Sequence, residues 1–326
     1  MNKKRFLIWS FFLGILLFIV TGCSSSSEKK PTTDTATEAT TKKQLAVVTT
    51  FYPMYEFTRQ VAGDLANVTL MVPAGTDTHH YEPSAKDLAT ISGADLFIYN
   101  SPAMEIWVPD VLKALGEEDM TIVQAAEGID MIEESDEEED DEEISEQGDA
   151  HAHGEDPHVW LDPVLAQREI QTIKEAFIQK DPKNQSTYEQ NASRYIDQLN
   201  ALHNDYQTAF TGAKNRIFIT QHAAFGYLAA RYNLTQLSIA GFSTENEPSP
   251  AQIAKITQLI YKHDIPVIYR NSDAAQGSSD ALAQEAGVKV ETLNALESMT
   301  EKEMEEGEDY LSVMRKNLDA LKQSIR

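Results

Sequence analysis

Segments of strand length and strand composition alternate with helical segments along most of this chain. The predicted strands are 45–50, 66–72, 95–100 and 121–124 in the first half, and 216–220, 235–239, 266–269 and 289–292 in the second. Helical segments separate most of them, which is the arrangement of parallel strands joined by helical crossovers. One of these predicted helices is 222–232, and a terminal helix is predicted at 307–325. The sequence therefore predicts an α/β fold in two lobes, with mostly parallel sheets flanked by helices.

One long helical segment separates the two series of strands. Residues 184–212 contain no proline, and no glycine before Gly212, while apolar residues recur every three or four positions. Such a helix is about 42 Å long. It is long enough to run along both lobes as a rigid strut, although a core helix of one lobe would show the same pattern. We expect an N-terminal lobe at 44–183, a linking helix at 184–212 and a C-terminal lobe at 213–326.

The beginning of the chain carries signals for export. A basic start is followed by the apolar run 6–20, which as a helix spans roughly 22 Å and is shorter than the ~30 Å hydrocarbon core of a bilayer. This pattern predicts a signal peptide at 1–22. The run ends in Val-Thr-Gly-Cys at Cys23, the one cysteine of the chain, and resembles the lipobox of bacterial lipoproteins. We expect a lipid on Cys23 and a flexible tether at 23–43; an ordinary secreted protein with an unmodified cysteine is the alternative.

The net charge of −25 is concentrated in one segment. Residues 133–149 contain twelve acidic residues and no basic one, and His151 and His153 follow directly. The acidic and histidine-rich loop at 133–155 is either a solvated surface loop without a specific role or a weak metal-collecting loop beside a stronger site. The negative charge excludes nucleic-acid binding.

Three segments place a histidine where an apolar stretch breaks into a turn. They are GTDTHHYEPS with His79 and His80, DPHVWLDP with His158, and TQHAAFGYLA with His222. Ligands of open α/β sheets bind outside the carboxyl ends of the strands, where these turns are expected. Neutral imidazoles from separate parts of a fold are a usual way to hold a divalent transition metal. The segments therefore predict a metal site shared by the two lobes.

The same three segments resemble the metal-ligand motifs of the solute-binding proteins of bacterial zinc and manganese ABC transporters. The resemblance covers the body of the chain after the tether and implies two α/β lobes joined by one long backbone helix. It also implies that the ligands are His79, His158 and His222. His79 takes the ligand position because it lies three residues before Glu-Pro-Ser, and His80 is its neighbour. His203 and His263 match no motif, and we expect them at the surface.

The resemblance also implies a function. The protein would capture Zn²⁺ between its lobes on the extracellular face of the cell membrane, held there by the lipid on Cys23. It would deliver the ion to an ABC permease. We expect a monomer that is not an enzyme.

The fourth metal ligand is open at this stage. Many members of the resembled family supply a carboxylate from the loop after the strand that corresponds to 266–269. Here the matching position is Asn271, a neutral side chain beside Arg270. We expect the fourth position to be filled by water, by Asn271, by Asp273 or by a carboxylate of the acidic loop.

Three imidazoles and one small ligand favour tetrahedral Zn²⁺ over Mn²⁺, which prefers more carboxylate. Two other functions fit the same residues. One is a protein of this family that binds manganese or another divalent metal and also acts as an adhesin. The other is an extracellular zinc hydrolase, since three histidines and a water also describe a catalytic site. Because each histidine binds metal only when neutral, we expect the affinity to fall as the pH drops through about 6.5.

Overall fold

The computed structural model describes residues 44–116, 120–133, 154–239, 250–271 and 278–326. The predicted signal peptide, the tether with Cys23, Asp273 and nearly all of the acidic loop with His151 and His153 lie outside these ranges. Within the described part of the chain, no helix has the length and apolar composition that a membrane crossing requires.

The first lobe is built on a four-stranded parallel sheet. Its strands are β1 (Leu45–Thr49), β2 (Ala66–Leu70), β3 (Leu96–Tyr99) and β4 (Thr121–Gln124), in the order β2-β1-β3-β4. The helices α1 (Tyr52–Ala62), α2 (Ala85–Ser92) and α3 (Val108–Leu115) connect them. Every residue of β3 is buried, because a central strand of a parallel sheet is covered on both faces.

Two long helices separate the sheets along the chain. These are α4 (Pro163–Lys180) and α5 (Gln185–Phe210). The 26 residues of α5 lie within the predicted linking helix and span roughly 39 Å. α4 is not among the helices predicted from the sequence, although its buried residues have helical spacing and Asp162 caps it by accepting a hydrogen bond from the Val164 N–H at 2.8 Å.

The second lobe repeats the topology of the first. Its strands are β5 (Ile217–Thr220), β6 (Thr235–Ser238), β7 (Val267–Arg270) and β8 (Lys289–Thr292), in the order β6-β5-β7-β8 and all parallel. The helices of this lobe are α6 (Gly226–Arg231), α7 (Pro250–His263), α8 (Ser278–Ala286), α9 (Glu301–Glu305) and α10 (Tyr310–Leu321). The predicted fold class of two parallel α/β lobes is confirmed.

The linking helix α5 packs against both lobes. Its buried face consists of Tyr188, Ala192, Tyr195, Leu199, Leu202, Tyr206 and Phe210. The ring of Tyr195 lies 6.3 Å from that of Phe57 in α1, and the hydroxyl of Tyr206 donates to the Met314 carbonyl in α10 at 2.7 Å. One buried apolar cluster therefore extends from β1 through α5 to the end of the chain, and it joins the two lobes into one packed body.

The strand predictions agree with the structure to within two residues at each end, and the helix predictions differ more. Residues 222–232 are predicted to be helical, but α6 begins only at Gly226, so His222 lies in the preceding loop. The predicted terminal helix at 307–325 begins at Tyr310, because the side chain of Asp309 caps α10 by accepting from the Ser312 N–H at 2.7 Å. Side-chain capping therefore set the start of α10 more strongly than the apolar spacing did, whereas α6 begins without a side-chain cap.

Candidate metal centre

Four ionisable side chains meet at the carboxyl ends of the two sheets. His79 comes from the loop after β2, His158 from the turn before α4, His222 from the loop after β5, and Glu297 from the loop after β8. Their potential ligand atoms all lie within 4.8 Å of one another. We call these four residues the His/Glu cluster. Each lobe contributes two of them, at the edge of the sheet where ligands of α/β folds bind.

The three imidazoles converge on one carboxylate oxygen. Oε1 of Glu297 lies 3.1 Å from Nε2 of His222, 3.4 Å from Nε2 of His158 and 3.8 Å from Nε2 of His79. The side chain of His158 is 0% exposed and that of His79, the most accessible, is 10% exposed. Donors around a tetrahedral zinc ion with bonds of about 2.0–2.1 Å are about 3.3 Å apart. The three distances to Oε1 of Glu297 lie around this value, and the cluster has the donor types that such an ion requires.

Asp156 orients the most deeply buried histidine. Its Oδ1 accepts a hydrogen bond from the His158 backbone N–H at 3.0 Å and lies 2.8 Å from Nδ1 of the same residue. A carboxylate in this position favours a proton on Nδ1, which leaves Nε2 directed at the cluster. Carboxylates play this role for many metal-binding histidines, where they fix the tautomer and raise the basicity of the ligand.

The charges of the metal-free cluster are strongly coupled. Burial by itself lowers the pKa of His158, but the hydrogen bonds and charges of Asp156 and Glu297 outweigh it and raise that pKa to about 9. Burial acts to raise the pKa of Glu297, but the three histidines around it hold that pKa well below its usual range. Without metal, the cluster is therefore an ion pair of a carboxylate and an imidazolium, and a bound cation must replace the proton of His158.

The structure places His79 in the cluster and His80 outside it. The ring of His80 is turned toward the surface, where its Nδ1 lies 3.0 Å from Oδ2 of Asp77. Oδ1 of the same aspartate accepts the His79 N–H at 2.9 Å. Asp77 thus holds the turn that points the two neighbouring rings in different directions. His203 and His263 lie outside the cluster, but both are half-buried, and Nδ1 of His203 lies 3.1 Å from the hydroxyl of Tyr232.

The fourth member of the cluster, Glu297, was not among the candidates for the fourth ligand. Asn271, which was one of them, has a different role, since its Oδ1 accepts the Ala295 N–H at 3.1 Å. Asp273 and the acidic loop at 134–153 lie outside the described residues. Glu297 follows β8 after a short loop. The rule that ligands bind outside the carboxyl ends of the strands, which indicated His222, therefore applies to Glu297 as well.

Two α/β lobes of matching topology, joined by a long helix and sharing a buried cluster of metal-ligating side chains, define a metal-specific solute-binding protein. A sequence model described as zinc-uptake complex component A, periplasmic, matches residues 47–324. The chain therefore belongs to the family of zinc-uptake complex component A, ZnuA.

Individual relatives agree with this assignment. The high-affinity zinc uptake system protein ZnuA of Bacillus subtilis is 43% identical over 310 residues, which cover 95% of this chain and 97% of the relative. The zinc-binding lipoprotein AdcA of Streptococcus pneumoniae is 46% identical over 281 residues, 86% of this chain but only 56% of AdcA. The Zn(II)-bound ZnuA-like domain of that AdcA superimposes with a TM-score of 0.74 at 42% identity and covers 87% of this chain and 99% of the domain.

Proposed function

We propose that this protein is the zinc-binding component of a bacterial ABC importer, and that His79, His158, His222 and Glu297 hold the ion. The observation that carries the proposal is the convergence of these four side chains, two from each lobe, on one buried point. The family membership and the zinc-bound structure of a relative support the same function.

The donor set favours zinc. Three imidazole nitrogens and one carboxylate oxygen make a tetrahedral N₃O site, a type that Zn²⁺ occupies readily. Mn²⁺ prefers six oxygen-rich ligands and stands lower in the affinity order of divalent metals. Manganese should therefore bind more weakly than zinc.

The cluster also argues for binding without catalysis. A catalytic zinc ion keeps one coordination position open for water, and three protein ligands are the rule at such sites. Here Glu297 supplies a fourth donor, with Oε1 as close as 3.1 Å to a histidine nitrogen. A zinc ion held by all four side chains has no open tetrahedral position, so we propose a transport role rather than a hydrolase.

Metal capture should require only small movements. One buried apolar cluster runs through both lobes and the linking helix α5, and such a packed core resists wide hinge opening. We therefore expect local rearrangements of the ligand loops on zinc binding. Small-angle scattering with and without zinc should give radii of gyration that agree within error, and a large compaction would contradict this view.

We further propose that the protein acts outside the cell, anchored through a lipid on Cys23, and that it passes zinc to a membrane permease. The lipobox-like sequence before Cys23 and the description of a relative as a lipoprotein support the anchor. In a Gram-positive host, the Cys23→Ala variant should appear in the culture medium while the unaltered protein stays with the membrane. An equal distribution of the two proteins would argue against the anchor.

The adhesin role remains a prediction, and the His/Glu cluster does not support it. The four side chains of the cluster are buried or nearly so and offer no surface to a host protein. Growth under zinc chelation separates the two roles. A strain without the protein should fail to grow in chelated medium and recover with added zinc, which an adhesin role alone does not explain.

Elemental analysis is the direct test of the zinc site. The unaltered protein, purified without chelator, should contain one equivalent of zinc, while His79→Ala, His158→Ala and His222→Ala should each lose most of it. His80→Ala is the matched control, since its ring faces the surface beside Asp77, and it should retain the metal. If each of the three variants keeps a full equivalent, the ligand assignment is wrong.

A further inference from the structure

The loop that carries Glu297 is held in place through its backbone by side chains from separate elements. We call residues 293–297 the Glu297 loop. The two polar groups of Ala295 are both engaged: its N–H donates to Oδ1 of Asn271 at 3.1 Å, and its carbonyl accepts from Nε1 of Trp160 at 2.8 Å. The loop is therefore bound on one side by its own lobe and on the other by the first lobe.

The backbone of this loop needs such support. Leu296 has a φ of +58°, in the left-handed region that costs an ordinary side chain free energy. Its N–H donates to Oδ1 of Asn294 at 2.7 Å. The side chain of Asn317 in α10 holds the peptide groups of Asn294 at 2.9 and 2.8 Å. A strained backbone conformation persists only where neighbouring groups hold it in place. Here the hydrogen bonds of Asn294 and Asn317 hold the backbone immediately before Glu297.

Trp160 connects this loop to the opposite ligand. It lies two residues after His158, is fully buried, and its ring centroid is 5.1 Å from that of the His158 imidazole. Its own carbonyl accepts from the hydroxyl of Tyr310 at 2.5 Å, which fixes the turn from the other side. Through its indole N–H, Trp160 therefore connects the turn of one proposed ligand, His158 in the first lobe, to the loop of another, Glu297 in the second.

We propose that Trp160 is a positioning residue for the metal site: its indole N–H sets the distance between the Glu297 loop and His158 and so keeps the carboxylate in the coordination sphere. This inference rests on the proposed zinc-binding function. Without the hydrogen bond, the Glu297 loop should relax and Glu297 should bind the ion less well, leaving a site of three histidines and a water.

The test compares Trp160→Phe with Trp107→Phe. The first variant keeps an aromatic ring but lacks the N–H donor. The second is a matched control, since Trp107 packs beside Phe97 and Tyr81 in a separate apolar cluster, and its Nε1 has no hydrogen-bond partner among the described residues. The probe is Co²⁺, whose visible d–d absorption reports coordination number and ligand type. Zinc affinity is measured in parallel by competition with a chelator.

Trp160→Phe should bind zinc about tenfold or more weakly, and its Co²⁺ spectrum should shift toward that of Glu297→Gln. Trp107→Phe should match the unaltered protein in both readouts. Asn271→Ala, which removes the other support of Ala295, should change the spectrum in the same direction and provides a second variant if Trp160→Phe does not fold. A role limited to stability would lower the melting temperature without changing the spectrum.

The inference is overturned if folded Trp160→Phe keeps the Co²⁺ spectrum and zinc affinity of the unaltered protein, or, where Trp160→Phe does not fold, if Asn271→Ala keeps both. Failure of the proposed function has a different signature, because the unaltered protein and Trp107→Phe would then fail to bind zinc as well.

Discussion

Gly226 lies against the carboxylate of Asp156 so closely that a Cβ at position 226 would come within 2.7 Å of Oδ2. The contact joins the first helical residue of α6 in the second lobe to the residue that orients His158 in the first. The hydroxyl of Tyr227, next in sequence, donates to the Asp156 carbonyl at 2.7 Å. The lobes thus meet at the residue that supports His158, one of the proposed metal ligands, and changes on α6 should affect the proposed metal site.

Gly226→Ala should therefore weaken zinc binding. The added methyl group must displace the Asp156 carboxylate, which would turn away from His158, and we expect a loss of zinc affinity of about tenfold or more with a destabilisation of about 1–3 kcal/mol from overpacking. Chelator competition and thermal melting measure the two effects. Gly93→Ala is the matched control, because its Cβ would meet its nearest neighbour at an ordinary 3.6 Å. An unchanged zinc affinity in Gly226→Ala would show that Asp156 tolerates the displacement.

Asp156→Asn should lower zinc affinity by about 10–100-fold. The neutral amide still fills the space but no longer supplies the negative charge that raises the basicity of His158 through the 2.8 Å contact with Nδ1. Isothermal titration in the presence of a competing chelator measures the change. Asp95→Asn is a suitable control, since that carboxylate also accepts a backbone N–H, from Ala46 at 2.9 Å, but lies at the opposite end of the first sheet. Equal affinities in the two variants would remove Asp156 from the metal site.

Zinc binding at pH 7.5 should release about one proton from His158. The pKa of His158 in the metal-free protein is raised to about 9, so the ring is protonated at pH 7.5 and must lose its proton to bind metal. The affinity should then fall as the pH drops below about 9, and not only through 6.5, the value of an isolated imidazole. Titration calorimetry in buffers of different ionisation enthalpy gives the proton count. Binding at pH 7.5 without proton release would contradict the ion pair described for the cluster.

Glu169→Gln should change how the stability of the metal-free protein depends on pH. Glu169 in α4 is completely buried, and neither of its carboxylate oxygens has a hydrogen-bond partner among the described residues. Burial, and then the nearby charge of Glu105, raise its pKa well above the usual range. Above the unfolded-state pKa of about 4.5, unfolding releases the proton that the folded state retains, so stability falls by up to about 1.4 kcal/mol per pH unit until the folded pKa is passed.

The glutamine variant carries no proton at this position and should lose less stability between pH 5 and pH 8 than the unaltered protein. Chemical denaturation at the two pH values measures the difference. Glu175→Gln serves as the control on the same helix, because the Glu175 side chain is 68% exposed. If Glu169→Gln and Glu175→Gln show the same pH dependence, Glu169 is ionised in the folded protein.

Local sequence was sufficient for most secondary structure. The eight strands within the described residues are short, most are rich in apolar residues, and their ends are marked by prolines, glycines and polar turns, so the boundaries could be predicted from the sequence. The buried face of α5, including Tyr188 and Tyr206, could also be predicted locally, since apolar residues at helical spacing show which face of a helix is buried. The helix predictions were wrong at the starts of α6 and α10. Asp309 caps α10 later than the apolar spacing indicates, and the loop that contains His222 continues to α6, which has no side-chain cap.

The three histidines that meet in the cluster were predicted from the sequence, through the turns in which they lie and through the resemblance to a known family. The sequence did not identify Glu297, which is one of 52 acidic residues in the chain and lies 75 positions from His222, its nearest partner in the cluster. Only the tertiary structure brings the ends of β5 and β8 together, and only there does burial among three imidazoles distinguish this carboxylate from those on the surface. Strand and helix periodicity are properties of neighbouring residues, whereas a metal site depends on distances between residues that the chain itself keeps far apart.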